Sequence, residues 1–449
     1  MTDASRTRYA TIWRWHFYAG LFVAPFLVVL SITGLIYLFN TEINDALYPE
    51  LAFARSAVPL LPPSRWATTA EHAYPGAQVT RIDSPTEPGR SAQLFVTTAG
   101  GEAIRVFVAP GTADVLGDYV YTRTLVGFAD VAHGSLMLGD TGDAIVELAA
   151  CWAFILVVSG LYLWFPRPGR TGGVWLPRLR LRGRNFWRDL HRIGGVYTAV
   201  LILFLIVSGL PWATLWGGKV LTPLSNAIGA GYPDGTRRAL QSGGVTVAEA
   251  VGEAPWTLHH APMPASTPAA CGEPPCAAAP PIGIGAAAAV LASQGMRDPY
   301  RLSTPRGPTG VYMAYTYPDR PEGQRTIQID QYSGAVLADI AFADYGGIAK
   351  AVEWGVALHM GNYFGWANQA LMALPCIGIL ALVGTGITMW WKRRPRGRLA
   401  APPRPEKRGI GRGVVATAIV LGIVFPLAGL SMVTVWIGDR AFTTLRRRA

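Results

Sequence analysis

Charge is scarce where this chain is most apolar. Five apolar runs, 17–39, 143–165, 191–216, 364–391 and 413–437, carry almost none; Asp143, Glu147 and Arg192 lie near run ends. Uninterrupted apolar runs above about 18 residues are rare in soluble proteins, so a soluble enzyme is excluded. At about 1.5 Å per residue, each run is long enough to cross a hydrocarbon core about 30 Å thick. Acids in mid-run are missing, which argues against a proton relay or ion pathway. Cysteine is also scarce, at four residues. Cys151 and Cys376 fall in apolar runs and read as packed thiols. Cys271 and Cys276, in Cys-Gly-Glu-Pro-Pro-Cys, fall in a long polar segment, where an oxidising compartment would allow a disulfide. A metal site there would need further ligands, and His259 and His260 lie eleven or more residues upstream. A cleavage signal is missing too. The run 17–39 is too long for a secretory core and no Ala-x-Ala-like site follows Phe39, so it reads as an uncleaved helix.

What is plentiful is positive charge: 39 Lys and Arg against 28 Asp and Glu, a formal net charge of +11. The excess is local. Arg6, Arg8 and Arg14 precede the first run. The loop after the second run holds Arg167, Arg170, Arg178, Arg180, Arg182, Arg184 and Arg188 against Asp189. The loop after the fourth holds nine more cations, from Lys392 to Arg412, against Glu406. Basic short loops mark the cytoplasmic side, so these three segments belong there and 40–142 and 217–363 belong outside. The expectation is a multi-pass protein of the bacterial inner membrane with its N-terminus in the cytoplasm. The charge needs no nucleic acid to explain it. A fifth span would place Arg440 and Arg446–Arg448 outside, against the rule.

The chain also repeats itself. His16, Gly20, Gly34 and Leu35 recur as His191, Gly195, Gly209 and Leu210, at an offset of 175. His133, Gly139, Gly160 and Trp164 recur as His359, Gly365, Gly386 and Trp390, at 226. Between these matches lie two similar outside segments. In the first, a helix is expected over 64–74 and strands over 78–83, 92–98, 103–108 and 114–121. In the second, a helix is expected over 282–295 and strands over 301–304, 311–317, 325–330 and 335–337. Residues 254–281 are rich in Ala and Pro and read as an insertion. The fold class expected is a membrane α-helical protein with α+β extramembrane domains. Five transmembrane helices form two parallel repeats of helix, outside domain, helix, plus a C-terminal helix. The boundaries are 1–40, 131–166, 191–216, 356–391 and 413–438 for the helices. They are 41–130 and 217–355 for the outside domains, and 167–190 and 392–412 for the basic loops.

Parallel repeats imply a twofold axis along the membrane normal, which pairs residues at equal depth. His16 and His191 then meet near the inner face, and His133 and His359 near the outer. Two axial imidazoles can hold one haem iron, so the four histidines are candidate ligands of two haems. Gly20, Gly134, Gly139, Gly194, Gly195 and Gly361 would let a flat macrocycle approach. Against this stand blander readings. Histidines at membrane boundaries serve as interfacial polar residues, and glycines in membrane helices pack helices. Trp152, Trp164, Trp390 and Trp391 form an interfacial belt. His72, His259 and His260 have no partner in the repeat and read as surface residues.

The helix starts His16…Gly20 and His191…Gly195, with Leu358-His359-Met360-Gly361-Asn362-Tyr363-Phe364-Gly365, resemble the PepSY-associated transmembrane family. The outside domains resemble PepSY units. The resemblance covers nearly the whole chain apart from 254–281. It implies two b-type haems held by histidine pairs and an oxidoreductase of the ferric-siderophore reductase kind. Electrons would pass outward to a periplasmic Fe(III)-siderophore, releasing Fe(II) for iron uptake. The sequence has no flavin or nicotinamide signature. The donor, a reduced flavin, a quinol or a redox protein, would therefore bind from elsewhere. Two other readings stay open: a di-haem carrier for another periplasmic acceptor, and a non-redox membrane protein whose PepSY-like domains bind peptide or protease partners. No catalytic residue is assigned.

Overall fold

The computed structural model describes residues 3–54, 59–166, 173–231, 233, 263–266, 280–395 and 412–448. Cys271 and Cys276, and so the expected disulfide, lie outside the described residues. In chain order, the helices that matter are α1 (Asp3–Leu38), α2 (Pro63–Ala73), α3 (Leu125–Ser135), α4 (Gly139–Trp164), α5 (Arg184–Gly209), α6 (Gly283–Ser293), α7 (Gly347–His359), α8 (Trp366–Arg393), α9 (Arg412–Val424) and α10 (Pro426–Arg448). The strands are β1 (Gln78–Asp83), β2 (Ala92–Thr97), β3 (Ala103–Val108), β4 (Val115–Tyr119), β5 (Arg301–Ser303), β6 (Val311–Tyr315), β7 (Arg325–Asp330) and β8 (Val336–Ala341). Two compact units result. One is built from Met1–Leu38, Ala129–Lys219 and Trp366–Ala449, the other from Phe39–Phe128 and Val220–Gly365.

The first unit is a helical bundle. Among the described residues four helices are long and apolar enough to cross a membrane: Ser5–Leu38, Gly139–Trp164, Arg184–Trp212 and Trp366–Arg393. They form a closed ring in which α1 packs on α4 and α8, and α5 packs on α4 and α8. Their outward faces are apolar: Val200 is 75% exposed, and Leu21, Phe22, Leu374 and Ile377 are exposed with it. Such a face suits hydrocarbon. Small residues let the helices close up, as where Gly378 meets Thr198.

The expected single fifth helix is corrected. The apolar stretch after Gly413 is two helices, α9 and α10, broken at Phe425. The cause is Pro426. It has no N–H to continue α9, it disfavours helical geometry at Phe425, and it sits well as the first residue of a new helix. The chain reverses there, because Gly422 and Gly429 come into direct backbone contact. Phe425 is buried beside Cys151, Leu210 and Ala428. The third run is also shorter than expected, since Pro211 ends α5 and a wide helical turn follows over Thr214–Leu221. Two further helices, α3 and α7, precede α4 and α8; they carry His133 and His359 and were not separated in the sequence reading.

The second unit is an antiparallel sheet with helices on it. The expected strands appear within a few residues of their expected ends, but not as two sheets. All eight belong to one sheet, in the order β4-β3-β2-β1-β5-β6-β7-β8. β1 and β5 make the joint, pairing Arg81 with Ser303, Ile82 with Leu302 and Asp83 with Arg301. Asp83 binds Arg81 at 2.8 Å and faces Arg301 at 3.5 Å. α2 covers one half through Trp66, Ala67 and Ala70, against Ile82, Leu94, Val96, Val106 and Val108. α6 covers the other through Ala287 and Leu291, against Leu302, Tyr312, Ala314, Ile327 and Ile329. Trp66 is 1% exposed and its indole N–H donates to the Pro110 carbonyl at 3.0 Å. Trp66→Ala should cost about 3–5 kcal/mol, because it opens a cavity and removes one of the two hydrogen bonds to that carbonyl, which keeps the Leu61 N–H at 2.8 Å. Urea unfolding followed by tyrosine and tryptophan fluorescence would register it.

Candidate histidine site

α1 and α5 carry His16 and His191 at equivalent places in the ring of four helices, and both rings are half-buried. Their centres lie 6.4 Å apart and their planes cross at 86°. Two imidazoles bound to opposite faces of one metal through bonds of about 2 Å have their centres about 6 Å apart. The pair matches that separation.

Each ring is held through Nδ1 by a hydroxyl on the helix next door. His16 Nδ1 lies 2.9 Å from Ser159 Oγ of α4. His191 Nδ1 lies 3.0 Å from Thr385 Oγ1 of α8, and 3.1 Å from the Leu382 carbonyl. The hydroxyl protons are already committed. Ser159 donates to the Leu156 carbonyl at 3.0 Å, and Thr385 to the Ala381 carbonyl at 2.8 Å. Each hydroxyl oxygen therefore accepts from an Nδ1–H. That fixes the tautomer and leaves the Nε2 lone pair of both rings available to a metal. Behind each ring stands a glycine. A Cβ on Gly160 would come 3.2 Å from His16 Cε1, and one on Gly386 3.6 Å from His191 Cε1.

His133 is arranged in the same manner. Its Nδ1 lies 3.0 Å from Thr33 Oγ1 of α1, whose proton goes to the Val29 carbonyl at 2.8 Å. A Cβ on Gly34 would come 3.0 Å from His133 Cε1. So three histidines each rest against a hydroxyl residue and the glycine that follows it: Ser159-Gly160, Thr385-Gly386 and Thr33-Gly34. The fourth such dipeptide is Ser208-Gly209, and Ser208 donates to the Phe204 carbonyl at 2.7 Å as the others do to theirs. Sequence reasoning found the histidines and the glycines but passed over the hydroxyls. The signal was present, since among the matched glycines Gly34, Gly160, Gly209 and Gly386 are each preceded by Ser or Thr.

His359 is the last residue of α7, in the sheet unit, and is half-buried. α7 and the turn after it are tied down by Glu322, which accepts from Trp354 Nε1 and from the Tyr363 hydroxyl, both at 2.8 Å. Beneath them Gln324 Nε2 donates to the buried Glu353 at 3.0 Å. Gly20 and Gly195 meet Leu156 and Leu382 across helix contacts, at 3.7 and 3.6 Å. Those two glycines pack helices. Among the described residues no group of three or more His, Cys, Asp or Glu is placed to hold a metal ion.

A profile of the PepSY-associated TM region family matches residues 13–393. The chain belongs to this family. The match takes in the first long membrane helix from residue 13, the other three in full, the whole sheet unit and all four histidines of the repeat. No curated protein matches the chain. With its four long apolar helices, the family membership makes this a multi-pass membrane protein bearing an antiparallel-sheet domain.

Proposed function

We propose that this membrane protein is a di-haem oxidoreductase that carries electrons from the cytoplasmic side of the bacterial inner membrane to a periplasmic Fe(III)-siderophore. The released product is Fe(II). In this reading the chain is two parallel repeats of helix, PepSY-like domain and helix. His16 and His191 hold the inner haem b, and His133 and His359 the outer. Bound there, haem supplies a reversible one-electron iron couple. The chain's own part is to present lone pairs and keep water away. Ser159, Thr385 and Thr33 hold Nδ1–H so that Nε2 faces the metal. The two histidines sit on α1 and α5, each of which packs on α4 and α8. The observation that carries the reading is the His16–His191 pair, 6.4 Å between ring centres with both tautomers fixed toward ligation. The donor is a reduced flavin, a quinol or a redox protein, acting from the side of the basic loops.

A dithionite-reduced minus oxidised spectrum of the purified protein, with haem quantified per chain, tests it. The expected result is a b-type spectrum with two haems, reoxidised on adding a ferric siderophore. A protein made with ample haem that shows no Soret band would overturn the redox reading and leave peptide binding by the sheet unit. Reduced haems that ferric siderophores leave unchanged would keep the electron carrier and remove the siderophore.

A further inference from the structure

Resting on the bis-histidine reading, we propose that Ser159 and Thr385 are positioning residues that lock the His16 and His191 rings in crossed planes and so set the electronic structure of the inner haem. Three observations converge. The planes stand at 86°. Each ring is tethered at Nδ1 by a hydroxyl whose own proton is held by a backbone carbonyl, so the tether cannot swing freely. Each hydroxyl residue is followed by a glycine, Gly160 or Gly386, which leaves beside the ring's Cε1 the space that a Cβ would take and so lets the ring lie close to the helix that tethers it. The hydroxyls sit on two different helices of the ring, α4 and α8, and the histidines on two others. The crossing angle is therefore a property of the bundle rather than of either histidine.

The angle has a consequence at the iron. An imidazole plane lifts the iron d orbital with which it overlaps. Two parallel planes lift the same orbital and split the pair widely. Two crossed planes lift one each and leave the pair nearly degenerate. Ferric low-spin haem with parallel ligands gives a rhombic paramagnetic resonance spectrum with three resolved features. With crossed ligands it gives a single, strongly anisotropic feature at low field. Ligand orientation held by neighbouring hydrogen bonds is one of the means by which a protein tunes such a group.

The test is low-temperature electron paramagnetic resonance of the oxidised, full-length protein, with haem content measured on the same samples. The wild type should show one low-field, strongly anisotropic signal, and His133→Ala should keep it, which assigns it to the inner site. In the Ser159→Ala/Thr385→Ala variant the haem should stay bound while that signal is lost to a rhombic one. Ser159→Thr/Thr385→Ser, which keeps both hydroxyls, should restore it. A wild type that gives only rhombic signals would overturn the proposal while the bis-histidine reading stands. So would a double alanine variant that keeps haem and the low-field signal alike. If the double alanine variant fails to fold, the wild-type and hydroxyl-swapped spectra still decide, since both must show the low-field signal. Absence of haem from the wild type would overturn both readings.

Discussion

His191→Ala is expected to lower haem from about two per chain to about one, with the remaining haem still low-spin. The loss is all-or-none at one site because His16 would be left as a single axial ligand, tethered to Ser159 and unable to move across the 6.4 Å that separates the rings. His16→Ala should give the same count, and the two together no further loss. His133→Ala should also remove one haem, and added to His191→Ala it should remove the second. Pyridine haemochrome assays on these five variants measure the counts. Thr385→Ala is a milder change in the same place: the ring loses its hydroxyl partner but keeps the Leu382 carbonyl at 3.1 Å and its lone pair, so haem should remain. If His191→Ala kept both haems bound and low-spin, the inner ligand set would be wrong.

The second large effect concerns Glu147. It lies in α4, 1% exposed, and its Oε2 accepts the backbone N–H of Leu215 at 3.2 Å and of Trp216 at 3.1 Å. Asp143, one turn earlier, accepts the Thr214 N–H at 3.0 Å. These carboxylates cap the wide helical turn that begins where Pro211 ends α5. Glu147→Leu leaves two part-buried N–H groups without that acceptor and should cost about 2–3 kcal/mol. Glu147→Gln keeps an acceptor oxygen in place and should cost no more than about 1 kcal/mol. Thermal unfolding in detergent, followed by loss of monodisperse protein, separates the two. Equal damage from both would mean that the charge matters and the capping does not.

Much of the extramembrane fold was legible because its signals are local. In Arg325–Asp330 the apolar Ile327 and Ile329 alternate with Thr326, Gln328 and Asp330, and the turn Tyr332-Ser333-Gly334 follows, so its bounds could be read from a few neighbours. The joint between β1 and β5 could not. It unites segments some two hundred residues apart, and nothing in Arg301-Leu302-Ser303 announces Ile82 as its partner. The C-terminal segment was misread for a different reason. Hydropathy averaged over 413–437 registers Phe425-Pro426 as two more apolar residues, whereas backbone chemistry makes them a corner. At the histidines the repeat carried the information. A single histidine at a membrane boundary says little, but His16 and His191 recur with their glycines. The hydroxyls escaped because Ser and Thr are common in apolar helices, where they bond back to their own backbone. Their meaning emerged only when Ser159 and Thr385 were seen to hold rings from other helices.

The joint in the sheet has a form of its own. Ile82 faces Leu302 at its centre. On one side Arg81 faces Ser303, and on the other Asp83 faces Arg301. With Ile82 and Leu302 taken as equivalents, Arg81 corresponds to Arg301 and Asp83 to Ser303, so the flanking pairs are one pair seen from both ends. This is the self-complementary contact by which identical subunits associate. A chain of half the length would carry two histidines, one for each proposed haem, and complete neither. It would gain the missing ligands by meeting its own copy along this edge. In the proposed reading of two parallel repeats, this edge is where one half meets the other within a single chain, and the Ala- and Pro-rich 254–281 segment of the second half has no counterpart in the sequence of the first.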